Sequence, residues 1–141
     1  VNVPVTGSSL TGAITSPTIS TSSSPNYNVT VASGTLYIVG GTGNVFYLDG
    51  TRQTSLSLSQ GTTIRFTQDN STDLATLRSG VISSGVVYYL DGTSNETNYT
   101  NTTTFNAASQ RYVEWTPSST GIYYYACWIH GIGMGGMINI T

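Results

Sequence analysis

From Asn26 onward, apolar residues recur at every second position in short runs separated by Gly, Asp-Gly or Pro turn signals. A period of two puts alternate side chains on opposite faces of an extended strand, whereas a helix needs a period near 3.6. In TSLSLSQGTTIRFTQDN, Leu56 and Leu58, then Ile64 and Phe66, fall on one face on either side of a Gln60-Gly61 turn. YNVTVASGTLYIVGG alternates around a Ser33-Gly34 turn signal, NVFYLDGT and GVVYYLDGT run into Asp-Gly turns, and QRYVEWTP ends at Pro117. GIYYYAC and GMINIT are the last two runs. No apolar stripe holds a helical period for long, so the chain is expected to be all-β without a sizeable helix. The repeat YLDGT, at Tyr47–Thr51 and Tyr89–Thr93, reads as two strand-to-turn junctions rather than a duplication, because the flanks differ. Ser94–Ala108 reads as a long polar loop or a poorly packed edge region.

Residues 1–25 are different. They are polar and uncharged and carry Pro17 and Pro25, which predicts an arm preceding one domain over 26–141. Within the arm, VNVPV (Val1, Asn2, Val3, Pro4, Val5) alternates and suits strand addition to a neighbour, so these residues are the expected assembly contacts. The start has neither the basic nor the apolar region of a signal peptide. No apolar run approaches the roughly 20 residues of a membrane span.

Charge narrows the function classes. Charged residues make up 7% of the chain, there is no Lys, and the net charge is -2. An ordinary soluble protein carries about 25% charged residues. A nucleic-acid partner needs a basic footprint, and this chain offers none. Ser and Thr supply about three residues in ten, a hydroxyl-rich surface of the kind found on extracellular sheets, adhesins and virion proteins. The single Cys forms no disulfide within the chain. Sequons begin at Asn28, Asn70, Asn95, Asn98, Asn101 and Asn139; with about three residues in ten Ser or Thr several would arise by chance, so they are weak evidence for glycosylation.

The chemistry-bearing residues gather in GIYYYACWIHGIGMGGMINIT. It holds the only Cys (Cys127), the only His (His130) and both Met (Met134 and Met137). Soft sulfur and imidazole ligands at this spacing point to copper. Tyr123, Tyr125 and Cys127 share one strand face, and Ile122, Tyr124 and Ala126 share the other. Both faces are bulky, so the strand is expected to be buried on both sides, or on one side and under a partner. Gly131, Gly133, Gly135 and Gly136 are expected to let the following loop turn sharply and bring Met134 over Cys127.

The order G-x-Y-x-Y-x-C-x-x-H-x-x-x-M-x-G-x-I-x-I, from Gly121 to Ile140, resembles the C-terminal signature of the cupredoxins. In that family a strand delivers a Cys, a short loop carries a His and a Met, and the last strand returns. YNVTV…TSLSLSQGTTIRFTQDN is similar to the opening strands of the same fold, and EWTPSSTGIYYYAC to its approach to the Cys strand. The wording as a whole most resembles cupredoxin-like domains in structural proteins of marine bacteriophages. The resemblance implies an antiparallel Greek-key β-sandwich of cupredoxin type with an extended N-terminal arm. An immunoglobulin-like sandwich is the alternative, disfavoured by the His and Met-x-Gly after Cys127.

A blue-copper site needs two imidazoles, a thiolate and a weak axial thioether. This chain has one His. Where the resemblance would place the first His, the sequence reads RFTQDNSTDLATLRSG, with Asp73 the nearest candidate, and Asp is a harder ligand. Cys127, His130, Met134 and Asp73 therefore read as a degenerate copper site with no metal. In that reading Cys127 is a buried hydrophobe, His130 bonds backbone and Met134 fills the hollow. A nucleophilic thiol lacks an orienting partner, and no G-x-S-x-G elbow exists, so no enzyme is expected. The leading expectation is a virion structural protein, a capsid decoration or a head or tail surface protein. It would sit in multiple copies or as a homo-oligomer and contact capsid or tail proteins, not nucleic acid or membrane. The alternatives are a secreted, extracellular or periplasmic copper-binding cupredoxin for electron transfer or metal storage, and an extracellular carbohydrate- or cell-surface-binding module.

Overall fold

The computed structural model describes residues 24–68, 75–79, 85–127 and 129–141. In chain order the elements are β1 (Asn26–Thr35), β2 (Thr42–Leu48), β3 (Ser55–Leu58), β4 (Ile64–Gln68), β5 (Ala75–Ser79), β6 (Val86–Leu90) and β7 (Thr93–Ser94). Two short helices follow, α1 (Glu96–Tyr99) and α2 (Thr102–Ala107), and then β8 (Arg111–Trp115), β9 (Gly121–Cys127) and β10 (Gly131–Ile140). Six strands form one sheet in the order β2-β1-β4-β8-β6-β7, and four form the other in the order β3-β10-β9-β5.

The sandwich is as expected, but its sheets are mixed rather than purely antiparallel. β1 pairs with β4 in parallel, and β3 with β10 in parallel. The cause is a crossover. The chain reverses from β1 into β2, visits the other sheet as β3, and returns beside β1 as β4, so β1 and β4 point the same way.

The period-two pattern finds its core. Ile64, Phe66 and Gln68 of β4 are buried, while Arg65 and Thr67 face outward. On β8, Trp115 and Val113 point in, and Glu114 points out to pair with Arg65 at 2.7 Å. Phe46, Leu48, Ile64, Trp115 and Ile138 are the large apolar groups between the sheets. Each contributes about 1.5–3 kcal/mol by leaving water. Tyr27, Phe66 and Tyr125 stack in a column, with ring centroids 5.6 and 6.3 Å apart, that runs from one sheet to the Cys-bearing strand of the other.

Both copies of YLDGT make the tight turns that Asp-Gly predicts, with φ of 51° and 78° at Asp49 and Gly50 and of 49° and 80° at Asp91 and Gly92. The Ser33-Gly34 turn does not form. β1 runs straight through it to Thr35, because Tyr47 of β2 lies across Gly34 and donates its hydroxyl to the Ser33 carbonyl at 2.7 Å. The reversal comes later, over residues 36–41. There Ile38 sits at φ 68°, and the Val39 N–H donates back to the Tyr37 carbonyl at 2.8 Å. A γ-turn of this hand is strained for a β-branched residue, by about 1–3 kcal/mol.

Ser94–Ala108 is not the loose loop expected. It forms α1 and α2, capped by the side chains of Asn95 and Asn101, which accept from Asn98 N–H and from Thr103 and Thr104 N–H. The helices drop Tyr99 and Phe105 onto Tyr88 and Val113, a second small core. The Tyr99 hydroxyl ends on Gln68 at 2.5 Å. Burial pushes the Tyr99 pKa well above the ordinary tyrosine value.

Candidate functional site

Cys127 closes β9 and pairs with Gly131, the first residue of β10, so that only a tight turn separates the two strands. Four residues of β10, Ile132–Gly135, then stand opposite Ala126 alone before Tyr125 meets Gly136. This large bulge carries Met134 inward. It requires glycine where it closes. A Cβ on Gly135 would lie 1.7 Å from the Tyr125 carbonyl oxygen, and one on Gly136 would lie 2.7 Å from Thr54 Cα. The expected sharp loop is therefore mostly strand, and its glycines serve close backbone approach more than turning.

The strand's two bulky faces are buried only at its Cys end. Tyr125, Ala126 and Cys127 are buried, whereas Gly121 and Ile122 are exposed. Cys127 is 0% exposed and Met134 4%, and both belong to the main core with Phe46 and Tyr125. His130 is exposed. Its backbone N–H donates to Cys127 Sγ at 3.3 Å, and its Nδ1 lies 3.5 Å from the same sulfur. The imidazole thus meets the thiol directly.

Arg52, which the sequence does not single out, braces this end of the sandwich. Its guanidinium donates to the carbonyls of Thr35 at 3.1 Å, Phe46 at 3.4 Å and Gly133 at 3.4 Å. These belong to β1, β2 and β10, so one side chain ties both sheets behind the Cys127 turn. The only signal in the sequence is a lone cation directly after the first YLDGT. Tyr125 donates its hydroxyl to the Gln53 carbonyl. Burial pushes its pKa up to about 12, against the opposing pull of Arg52.

Asp73 and the segment Val1–Val5 lie outside the described residues, so the structure assigns them no place. Among the described residues no group of three or more His, Cys, Asp or Glu side chains could hold a metal ion. The donors shown to meet are one thiol and one imidazole, with the Met134 thioether buried in the same core as the thiol. With a single His in the chain, they do not fit a site built on two imidazoles and a thiolate. No helix among the described residues is long and apolar enough to cross a membrane.

No protein-family model matches the chain, and no curated protein does. Solved structures do. The McoA multicopper oxidase of Aquifex aeolicus aligns at 20% identity over 82% of this chain, with a TM-score of 0.47. This chain spans only 26% of that oxidase. A reduced Cu(I) form of an amicyanin variant aligns at 11% identity over 84% of this chain and 82% of its own, with a TM-score of 0.41. Auracyanin B aligns at 22% identity over 69% of this chain and 80% of its own, with a TM-score of 0.35. These are likenesses of fold. The class to which this chain's own topology and its Cys–His–Met order correspond is the cupredoxin-like β-sandwich.

Proposed function

We propose that this chain is a non-enzymatic structural module of a virus particle, a phage capsid decoration or a head or tail surface protein, acting by protein–protein contact. The observation that carries the non-metal part is the use of the would-be ligands for packing. Cys127 is sealed in the core, Met134 is buried in the same core, and the only imidazole closes onto the sulfur. The nearly uncharged, hydroxyl-rich composition supports the particle surface as the setting. A mass-spectrometric census of purified virions is the test. The chain should appear in stoichiometric multiple copies, and its absence from particles refutes the reading. Deleting Val1–Ser24 should abolish incorporation, and normal incorporation of the shortened chain would move attachment onto the sandwich.

A second reading, a secreted copper-binding cupredoxin, is favoured by one distance. Nδ1 of His130 lies 3.5 Å from Cys127 Sγ, so a thiol and an imidazole already face each other. Tight binding of one copper per chain would make that reading the correct one.

A further inference from the structure

Three of the five large apolar side chains most exposed on the described surface lie at one end of the sandwich. Ile38 and Val39, at the tip between β1 and β2, are 72% and 67% exposed, and Ile129, in the turn after Cys127, is 67% exposed. The tip is held, since the Tyr37 N–H donates to the Gly133 carbonyl at 2.9 Å. Between tip and turn lies a groove of about 570 Å³ lined by Leu36, Val39, Ile132 and Met134, with Asn44 and His130 at its polar edges. Water-exposed isoleucine and valine beside an open apolar groove mark an interaction surface. Ile38 also keeps a left-handed backbone, φ 68°, that Gly or Asn would adopt more easily. A strained tip that leaves most of Ile38 and Val39 in water marks a place to look for a use beyond the fold's own packing.

We propose that this groove receives the Val1–Val5 segment of a second copy of the chain, joining copies head to tail. The segment alternates Val1, Val3 and Val5 on one face and carries no charge, which matches an apolar groove with few polar groups on its rim. Position selects a second copy. The described chain begins at Ser24, beside the start of β1, while the groove lies past the other end of β1, roughly 30 Å away along the strand. Residues 6–23 would have to run back along the full length of β1 to seat the segment in the groove of the same copy. A copy stacked end to end presents its groove close to Ser24. Such a contact uses two different patches, and it propagates as a ring or a filament.

The test uses the full chain and two surface variants, Val3→Asp in the segment and Val39→Asp in the groove, followed by sedimentation velocity from micromolar to millimolar concentration. The unaltered chain is expected to self-associate progressively, and each variant alone to stay monomeric, with its apparent association constant reduced at least tenfold. Mixed, the two variants should form a 1:1 complex and stop there, because only one intact segment and one intact groove remain. Circular dichroism of each variant verifies that it is folded. Three results would each overturn the proposal: an unaltered chain that stays monomeric throughout, a Val39→Asp variant that associates normally, or variants that fail to complement. Docking within one copy would show as a monomer whose hydrodynamic radius grows in both variants. The measurement needs no virus particle, so its failure is distinct from failure of the virion census.

Discussion

The carbonyl oxygen of Tyr125 occupies the space that a side chain on Gly135 would need, since a Cβ there would sit 1.7 Å away. This contact holds the bulge that turns Met134 into the core beside Cys127. Gly135→Ala is expected to destabilise the domain by about 3 kcal/mol, because backbone rather than a flexible side chain must move. Gly61→Ala, at φ 79° with open space around it, should cost only about 1–2 kcal/mol. Urea unfolding of the two variants side by side measures the difference. Equal losses would mean that the bulge relaxes freely.

With one imidazole in the chain, Cu(II) added to the purified protein should not produce the intense thiolate-to-copper absorption of a two-imidazole, one-thiolate site. Optical titration with metal analysis after desalting checks this. A stable blue species with one copper per chain would reverse the assignment.

Cys127 is fully buried, so a maleimide should label the native thiol slowly, at a rate set by opening of the fold, and quickly in denaturant. Cys127→Ala removes one buried sulfur and the acceptor for the His130 N–H, at a cost of about 1–2 kcal/mol. Rapid labelling under native conditions would contradict this packing.

Tyr125 ties stability to alkaline pH. Burial raises its folded-state pKa from 10.0 to about 12, so above pH 10 the unfolded chain ionises first. The stabilisation is fully present below pH 10 and is lost as pH climbs toward 12, to the extent of about 2–3 kcal/mol from this group. Tyr99 and Tyr27, also raised, add to the same fall. Tyr125→Phe should lower stability at pH 7 by about 1 kcal/mol, through the carbonyl of Gln53 it leaves unbonded, and should flatten the decline above pH 10. Melting temperatures across pH 8–11.5, roughly the window set by the raised tyrosines, decide it; an unchanged slope would rule it out.

Ile38→Gly removes the left-handed strain at the exposed tip and should raise stability by about 1 kcal/mol. The same change removes a large apolar contact from the groove's rim, so self-association should weaken while the melting temperature rises. A variant that is both less stable and equally associated would show that Ile38 serves the fold alone.

What the sequence determined by itself was local. Leu56, Ile64 and Phe66 revealed their strands because a pleated strand alternates faces, and each Asp-Gly pair revealed its turn because few other pairs tolerate two positive φ angles. The nearness of Cys127 and His130 was legible for the same reason, since one tight turn joins them. Other features depended on groups far away in the chain. Gly34 stayed in a strand because Tyr47 covers it, and Tyr99 and Phe105 became a core because Tyr88 and Val113 wait beneath them. The parallel pairs β1/β4 and β3/β10 arise from crossovers between sheets, which leave no periodic trace in either strand. Whether an apolar residue faces core or water is also a tertiary matter. Ile38 and Val39 read like any other strand residues, and only folding left them outside, because the sandwich closes beneath the tip they stand on.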